Sequence, residues 1–237
     1  MINQPNNREY EFGELLSMVL AMFQQRIGII IGGILFSDFV PMLALIPAGV
    51  VAGFTCAGIN WNEPSAADFP RMIPMLITGF VCIVVTILAS VALKIGWVSI
   101  CLKITKNEPA PFSEFFSNFS YFMNFLATGF LMYLIIGAGL ILLVVPGVFL
   151  AIKLAFAPYL VIDQNMGPIE ALKGSWEMSE GYSMKIFLAG VAYLVINAIV
   201  SFIPLVNMVA PLLVSGLFYL IITTLYRAKK GDLVAPN

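Results

Sequence analysis

An all-α membrane protein is the fold class this sequence predicts, with six transmembrane helices, interfacial amphipathic helices between them and an internal repeat of pseudo-threefold arrangement. Three observations carry that expectation. Of the 237 residues, 60% are hydrophobic and 11% charged, with a mean hydropathy of +0.97, far outside the range of soluble globular chains. Apolar stretches of roughly 20 residues, one bilayer thickness at helical rise, close on the dipeptides Ile46-Pro47, Val145-Pro146 and Ile203-Pro204. Lys and Arg, finally, sort to one side of the spans so drawn.

The elements follow in order. Residues 1–26 carry Arg8, Glu9, Glu11, Glu14 and Arg26 and lack the short apolar core and cleavage site of a signal peptide, so the N-terminus is expected to be mature. Phe12, Leu15, Leu16 and Val19 form a first amphipathic stripe. Span one is read over 27–46. Residues 48–71 then delay re-entry, and their apolar start (Gly49 to Phe54) reads as an extension of span one, with Trp61 near the interface among Asn60, Asn62, Glu63 and Pro64. Span two is read over 73–102. Phe112, Phe115, Phe116, Phe119 and Phe122 then recur at helical spacing, opposite Ser113, Glu114, Ser117, Asn118 and Ser120, which predicts a helix lying in the membrane plane. Spans three and four are read over 125–145 and 147–162. Ile169, Leu172 and Trp176 make a third stripe, started by Pro168. Spans five and six are read over 184–203 and 208–226.

An even number of spans places both termini on one side. Arg8, Arg26, Lys103, Lys106, Lys173, Lys185, Arg227, Lys229 and Lys230 fall on that side and Arg71 on the other, while Lys94 and Lys153 lie within spans. The positive-inside rule then makes both termini cytoplasmic, in a multi-pass membrane protein.

Ala92, Lys94 and Ile95 match Ala151, Lys153 and Leu154 at a constant offset. The whole chain, 1–237, reads as one membrane domain of repeat units near 73–146 and 147–204. A third unit joins 205–237 to 8–47 if the chain is read circularly, which relates the units by an axis along the membrane normal. Gly28/Gly32 and Gly49/Gly53 are small-residue pairs suited to close helix approach.

The run Pro146-Gly147, Ala157, Tyr159, Asp163 and Gly167-Pro168-Ile169-Glu170-Ala171-Leu172-Lys173-Gly174-Ser175-Trp176, with the ending Leu225-Tyr226-Arg227, resembles a family of uncharacterised bacterial integral-membrane proteins. That family is related to the membrane domain of glycerophosphoryl diester phosphodiesterases. The resemblance implies a membrane module without a phosphodiesterase domain. Physically the segment explains itself as architecture: Gly167 ends a span, Pro168 starts a helix, Glu170 suits its first turn and Trp176 anchors at headgroup level.

Chemistry is sparse. The sequence has no histidine, which removes the commonest general base and metal ligand, and Cys56, Cys82 and Cys101 have no metal-site spacing. No catalytic, metal-binding or cofactor-binding residues are expected, and no nucleic-acid surface. The candidates are the charges within spans: Asp38, Lys94 and Lys153. Counted from the charged flanks Arg26, Lys103 and Asp163, all three lie about 14 to 18 Å deep, where a charge must be paired or wetted. They either form one network or the lysines snorkel independently, with Asn197 and Thr223 as further members of a polar layer. The leading expectation is a non-enzymatic scaffold, assembly partner or membrane-homeostasis module whose partners are the lipid bilayer and a second membrane protein. The alternative is a small-solute or lipid transporter or channel.

Overall fold

The computed structural model describes residues 10–57, 69–203 and 210–234. Every regular element among them is helical. Span one consists of α2 (Ile27–Phe39), a 3₁₀ segment (Val40–Leu45) and α3 (Ile46–Ala57). Span two is α4 (Phe69–Ile104), span three α6 (Phe122–Leu142), and span four α7 (Val144–Lys153) with α8 (Ala157–Gln164). Spans five and six are α10 (Ser183–Ser201) and α11 (Ala210–Lys230). Six of these stretches are long and apolar enough to cross a membrane, so the chain is a multi-pass membrane protein. The shorter α5 (Glu114–Ser117) and α9 (Pro168–Met178) connect spans at one end, where α1 (Phe12–Gln25) also leads into span one.

That end is tied together by its own polar groups. Arg26 donates to the Glu108 carbonyl and the Asn107 side chain, Lys185 to the Tyr10 carbonyl, and Lys229 to the Glu180 carbonyl. Most of the basic residues gather here, and it is called the basic end below.

Two spans are discontinuous, and proline chemistry explains both. Pro41 has no N–H to give the helix, and the chain after Phe39 tightens into 3₁₀ turns before α3 resumes. In span four, α7 stops at Lys153 and α8 begins at Ala157 with Pro158 in its first turn. Backbone groups released inside a membrane need new partners. Ser175 of α9 supplies them: its hydroxyl donates to the Lys153 carbonyl at 2.8 Å and accepts the Phe156 N–H at 3.0 Å. A break is thereby made stable by a residue of the next helix.

Several expectations change. Span one continues past Pro47 to Thr55, as its apolar sequence suggested, and Asn60 to Pro64, with Pro204, lie outside the described residues. The turn between spans three and four falls at Leu143, in extended conformation, so Pro146 lies inside α7 instead of closing span three. Gly139 and Gly147 let the two helices approach: a Cβ on Gly139 would sit 2.6 Å from Leu150 Cδ1. Of the four glycines in the two expected contact pairs, Gly32 alone is crowded, a Cβ there lying 3.2 Å from the Phe112 ring, while added Cβ atoms at Gly28, Gly49 and Gly53 meet nothing within 4 Å. The close approaches instead use Gly33 against Trp97, Gly96 against Phe115, and Gly216 against Ile34. Asn165, in left-handed conformation, ends α8 where Gly167 was expected to do so.

The Phe stripe is not one helix in the membrane plane. It makes the four-residue α5 and a 3₁₀ turn, Phe119–Tyr121, that leads straight into α6. Phe115 is 2% exposed, packed on Gly96 and Phe36, whereas Phe116 is 63% exposed. In α9 the buried face is Ala171, Leu172 and Ser175, while Ile169 and Trp176 lie towards the outside.

Burial is concentrated in the half nearer the basic end. α4 is buried from Ile95 to Leu102 but exposes most of Ile73 to Leu88, and α11 is buried from Ile222 to Ala228 but mostly only partly before that. In the opposite half the helices part around a cavity, except where α6 and α7 close on each other at Gly139 and Gly147.

Candidate functional site

Of the three intramembrane charges, the structure brings two together. Asp38, in the last turn of α2, accepts from Lys94 of α4, with Nζ and Oδ1 2.5 Å apart. The second carboxylate oxygen lies 3.3 Å from Ser215 Oγ of α11, whose proton is shared with the Leu212 carbonyl. Lys94 Nζ also sits 4.9 Å from the centre of the Tyr219 ring, a cation–π contact whose value rises as water is excluded. The register follows from packing. Gly216 admits Ile34 so closely that any Cβ there would collide with it, and Asp38 lies one helical turn beyond Ile34. Ser215 therefore arrives at the carboxylate. Both charges keep some accessible surface, 26% for the Lys94 side chain and 17% for that of Asp38.

Lys153 stands apart. It ends α7 at 8% exposure, with Nζ 5.7 Å from the Phe149 ring and 5.5 Å from the Trp176 ring. Among the described residues it has no carboxylate within ion-pair distance. The carbonyl end of α7 and two aromatic faces stabilise its charge instead. Thr223 and Asn197 bond to carbonyls of their own helices, those of Tyr219 and Tyr193.

The Asp38–Lys94 pair faces a cavity of about 780 Å³ to which every span contributes. Met42 comes from span one, Ile136 from span three, Tyr159 from span four, Gly190 from span five and Tyr219 from span six. Its walls are otherwise mostly apolar, and Asp38 and Lys94 are the only charged side chains lining it among the described residues. Sequence reasoning found the two charges but missed Ser215, Tyr159, Tyr193 and Tyr219. A hydroxyl in an apolar span is too common to signal a site, and only the Gly216–Ile34 contact selects this serine.

At the basic end a different cluster forms. Asp163, ending α8, accepts from Arg227 Nη2 at 2.8 Å, Lys230 Nζ at 2.6 Å and the Tyr226 hydroxyl at 2.8 Å, and Arg227 Nη1 donates to Asp232 at 2.9 Å. Tyr159 stacks on Tyr226. A polar hollow of about 400 Å³ between Ser99, Asn118, Asp163 and Arg227 opens beside it, and two of its acids are already partnered, Glu114 by Lys103 and Asp163 by Arg227. No group of three His, Cys, Asp or Glu residues able to hold a metal occurs among the described residues.

Residues 114–215 match a family described as "Domain of unknown function (DUF7847)". The match covers less than half of the chain. It includes most of the segment whose resemblance was noted above, but nothing in it leads to glycerophosphoryl diester phosphodiesterases. No curated protein and no solved structure matches the chain. The matching segment runs from α5 to Ser215, and so contains the span-four break, Ser175, Tyr159, Tyr193 and Lys153. Asp38 and Lys94 lie outside it.

Proposed function

We propose that this chain is a non-enzymatic membrane protein that binds an amphiphile of the bilayer inside its helix bundle and gives that molecule's polar end a station within the apolar layer. Among the expectations from sequence this stands closer to the lipid transporter than to the scaffold. The observation that carries it is the cavity: its volume lies in the range of small-molecule sites, its walls suit hydrocarbon, and one ion pair supplies the polar focus. An ion pair kept within a membrane is costly unless used. Discontinuous spans beside midplane charges are also how transporter folds expose backbone to a bound molecule, and here the first break falls just after Asp38. The same reading puts the protein in a bacterial cytoplasmic membrane with both termini inside, because the basic residues gather at the end that carries them.

The test is lipid retention by the purified chain, measured by native mass spectrometry from lipid–detergent micelles. Gly190 lines the cavity, and a side chain added there meets open space. Gly190→Trp and Ala151→Phe should therefore fold normally and lose bound lipid. Retention equal to wild type in both monodisperse variants would remove the cavity as a binding site.

A further inference from the structure

Charge balance around the cavity restricts what it can hold. Asp38 and Lys94 together are neutral, and no other charge lines the walls among the described residues. An amphiphile with a net charge would bring an uncompensated ion into a region of low dielectric, which is unfavourable unless the charge is matched. A head with no charge escapes that cost but leaves the capacity of the pair unused. That capacity is considerable. An ammonium has three donors; Lys94 gives one to Asp38 and turns towards the face of Tyr219. A carboxylate has about four acceptor positions, and Asp38 uses one for Lys94 and shares another with Ser215. Both groups retain accessible surface and line a wall that is otherwise mostly apolar.

We infer that the cavity takes a zwitterionic amphiphile, such as a phospholipid bearing both a phosphate and an ammonium, with the anionic group against Lys94 and the cationic group against Asp38. This rests on the amphiphile-binding reading above and names its substrate class. The four charges then alternate in sign and sum to zero, so the head is held without leaving a net ion in the membrane. The chains lie along the apolar wall formed by Ile136, Val148, Val191 and Leu194, of which Leu194 is open to the outside of the bundle and therefore to lipid.

The experiment uses the full chain in mixed micelles of equimolar phosphatidylethanolamine and phosphatidylglycerol, read by native mass spectrometry. The cavity-bound portion is the part lost in Gly190→Trp. Wild type should favour phosphatidylethanolamine in that portion by about tenfold or more, because a mismatched buried charge discriminates by at least that factor. Asp38→Asn makes the pair a net cation and should move the ratio towards phosphatidylglycerol. Lys94→Met makes it a net anion and should move the ratio the other way. A purely structural role for the pair would change the total lipid held, not its ratio in opposite directions. The exchanged pair, Asp38→Lys with Lys94→Asp, stays neutral and should keep the wild-type preference, which covers the case in which a single variant does not fold. Water-soluble glycerophosphoethanolamine should not displace the lipid, because it lacks the chains that the walls hold.

A wild type without preference, single variants with the wild-type ratio, an exchanged pair that has lost the preference, or displacement by the soluble head would each overturn the zwitterion assignment. Those results leave the binding reading intact as long as Gly190→Trp loses lipid. Failure of Gly190→Trp to lose lipid is the separate outcome that removes the site.

Discussion

The half of the bundle at the basic end and the half beyond the Asp38–Lys94 pair are built largely from the same helices, yet one is a packed core and the other parts around a cavity. In the first, α4, α8 and α11 bury their sides against one another, and charges are met several times over: Asp163 accepts from Arg227, Lys230 and Tyr226. In the second, α4 and α10 expose most of their apolar side chains, and the lining carries one ion pair. The difference teaches where stability and function separate. A membrane gives no hydrophobic reward for helices to close on each other, so closure happens where polar networks and close glycine contacts impose it.

The largest test of this contrast is Asp163→Ala. Arg227 is 1% exposed, and stripping its principal carboxylate should cost about 3 to 5 kcal/mol, as for other buried pairs broken on one side. Thermal unfolding in detergent should show the loss, and a melting temperature unchanged from wild type would mean that the network does not hold this end. Phe115→Ala should cost about 3 kcal/mol by emptying the space over Gly96, and Phe116→Ala close to nothing. Equal effects from the two would show that α5 faces the wrong way. Gly216→Val drives a side chain into Ile34 and should cost about 1 to 3 kcal/mol; Ile34→Ala in the same chain should recover part of it. If the second change makes matters worse, the register of α11 on α2 is different.

The pair itself should show coupling of about 1 kcal/mol in a double-mutant cycle of Asp38→Asn with Lys94→Met. The cycle of Asp38→Asn with Lys153→Met should be additive, because Lys153 lies among aromatic rings, away from the cavity lining. Coupling in the second cycle and not the first would exchange the roles of the two lysines. The smallest effect belongs to the open half: Gly49→Ala, in α3 with free space around it, should change stability by less than about 1 kcal/mol, in the stabilising direction, by helix propensity alone.

Much of the fold was legible. Span positions follow from the length of apolar runs, because a bilayer sets one thickness and a helix one rise per residue. The candidate charges were legible for the same reason, since an ionised side chain within a span is rare enough to stand out. The short α5 was not legible: five phenylalanines at helical spacing describe a face, but the Phe115 ring and backbone against Gly96 decide that only one of them is buried. Nor was the choice of glycines. Gly28 and Gly53 carry the spacing of a contact motif yet meet open space, and Gly216, with no such spacing, meets Ile34.

The sequence by itself determined that this is a six-span helical membrane protein, because composition and run length act on each segment independently of the others. It also determined that Asp38, Lys94 and Lys153 lie inside spans. Only the tertiary structure decided which of them meet. Lys94 and Lys153 sit in the same local pattern, two residues after an alanine and one before Ile95 or Leu154, but α4 continues through Lys94 towards Asp38, whereas α7 ends at Lys153 under the hydroxyl of Ser175. The reason is physical: a charge in a membrane takes whatever compensation its neighbours offer, and those neighbours come from helices that are distant in sequence, set by contacts such as Gly216 on Ile34 that no local pattern encodes.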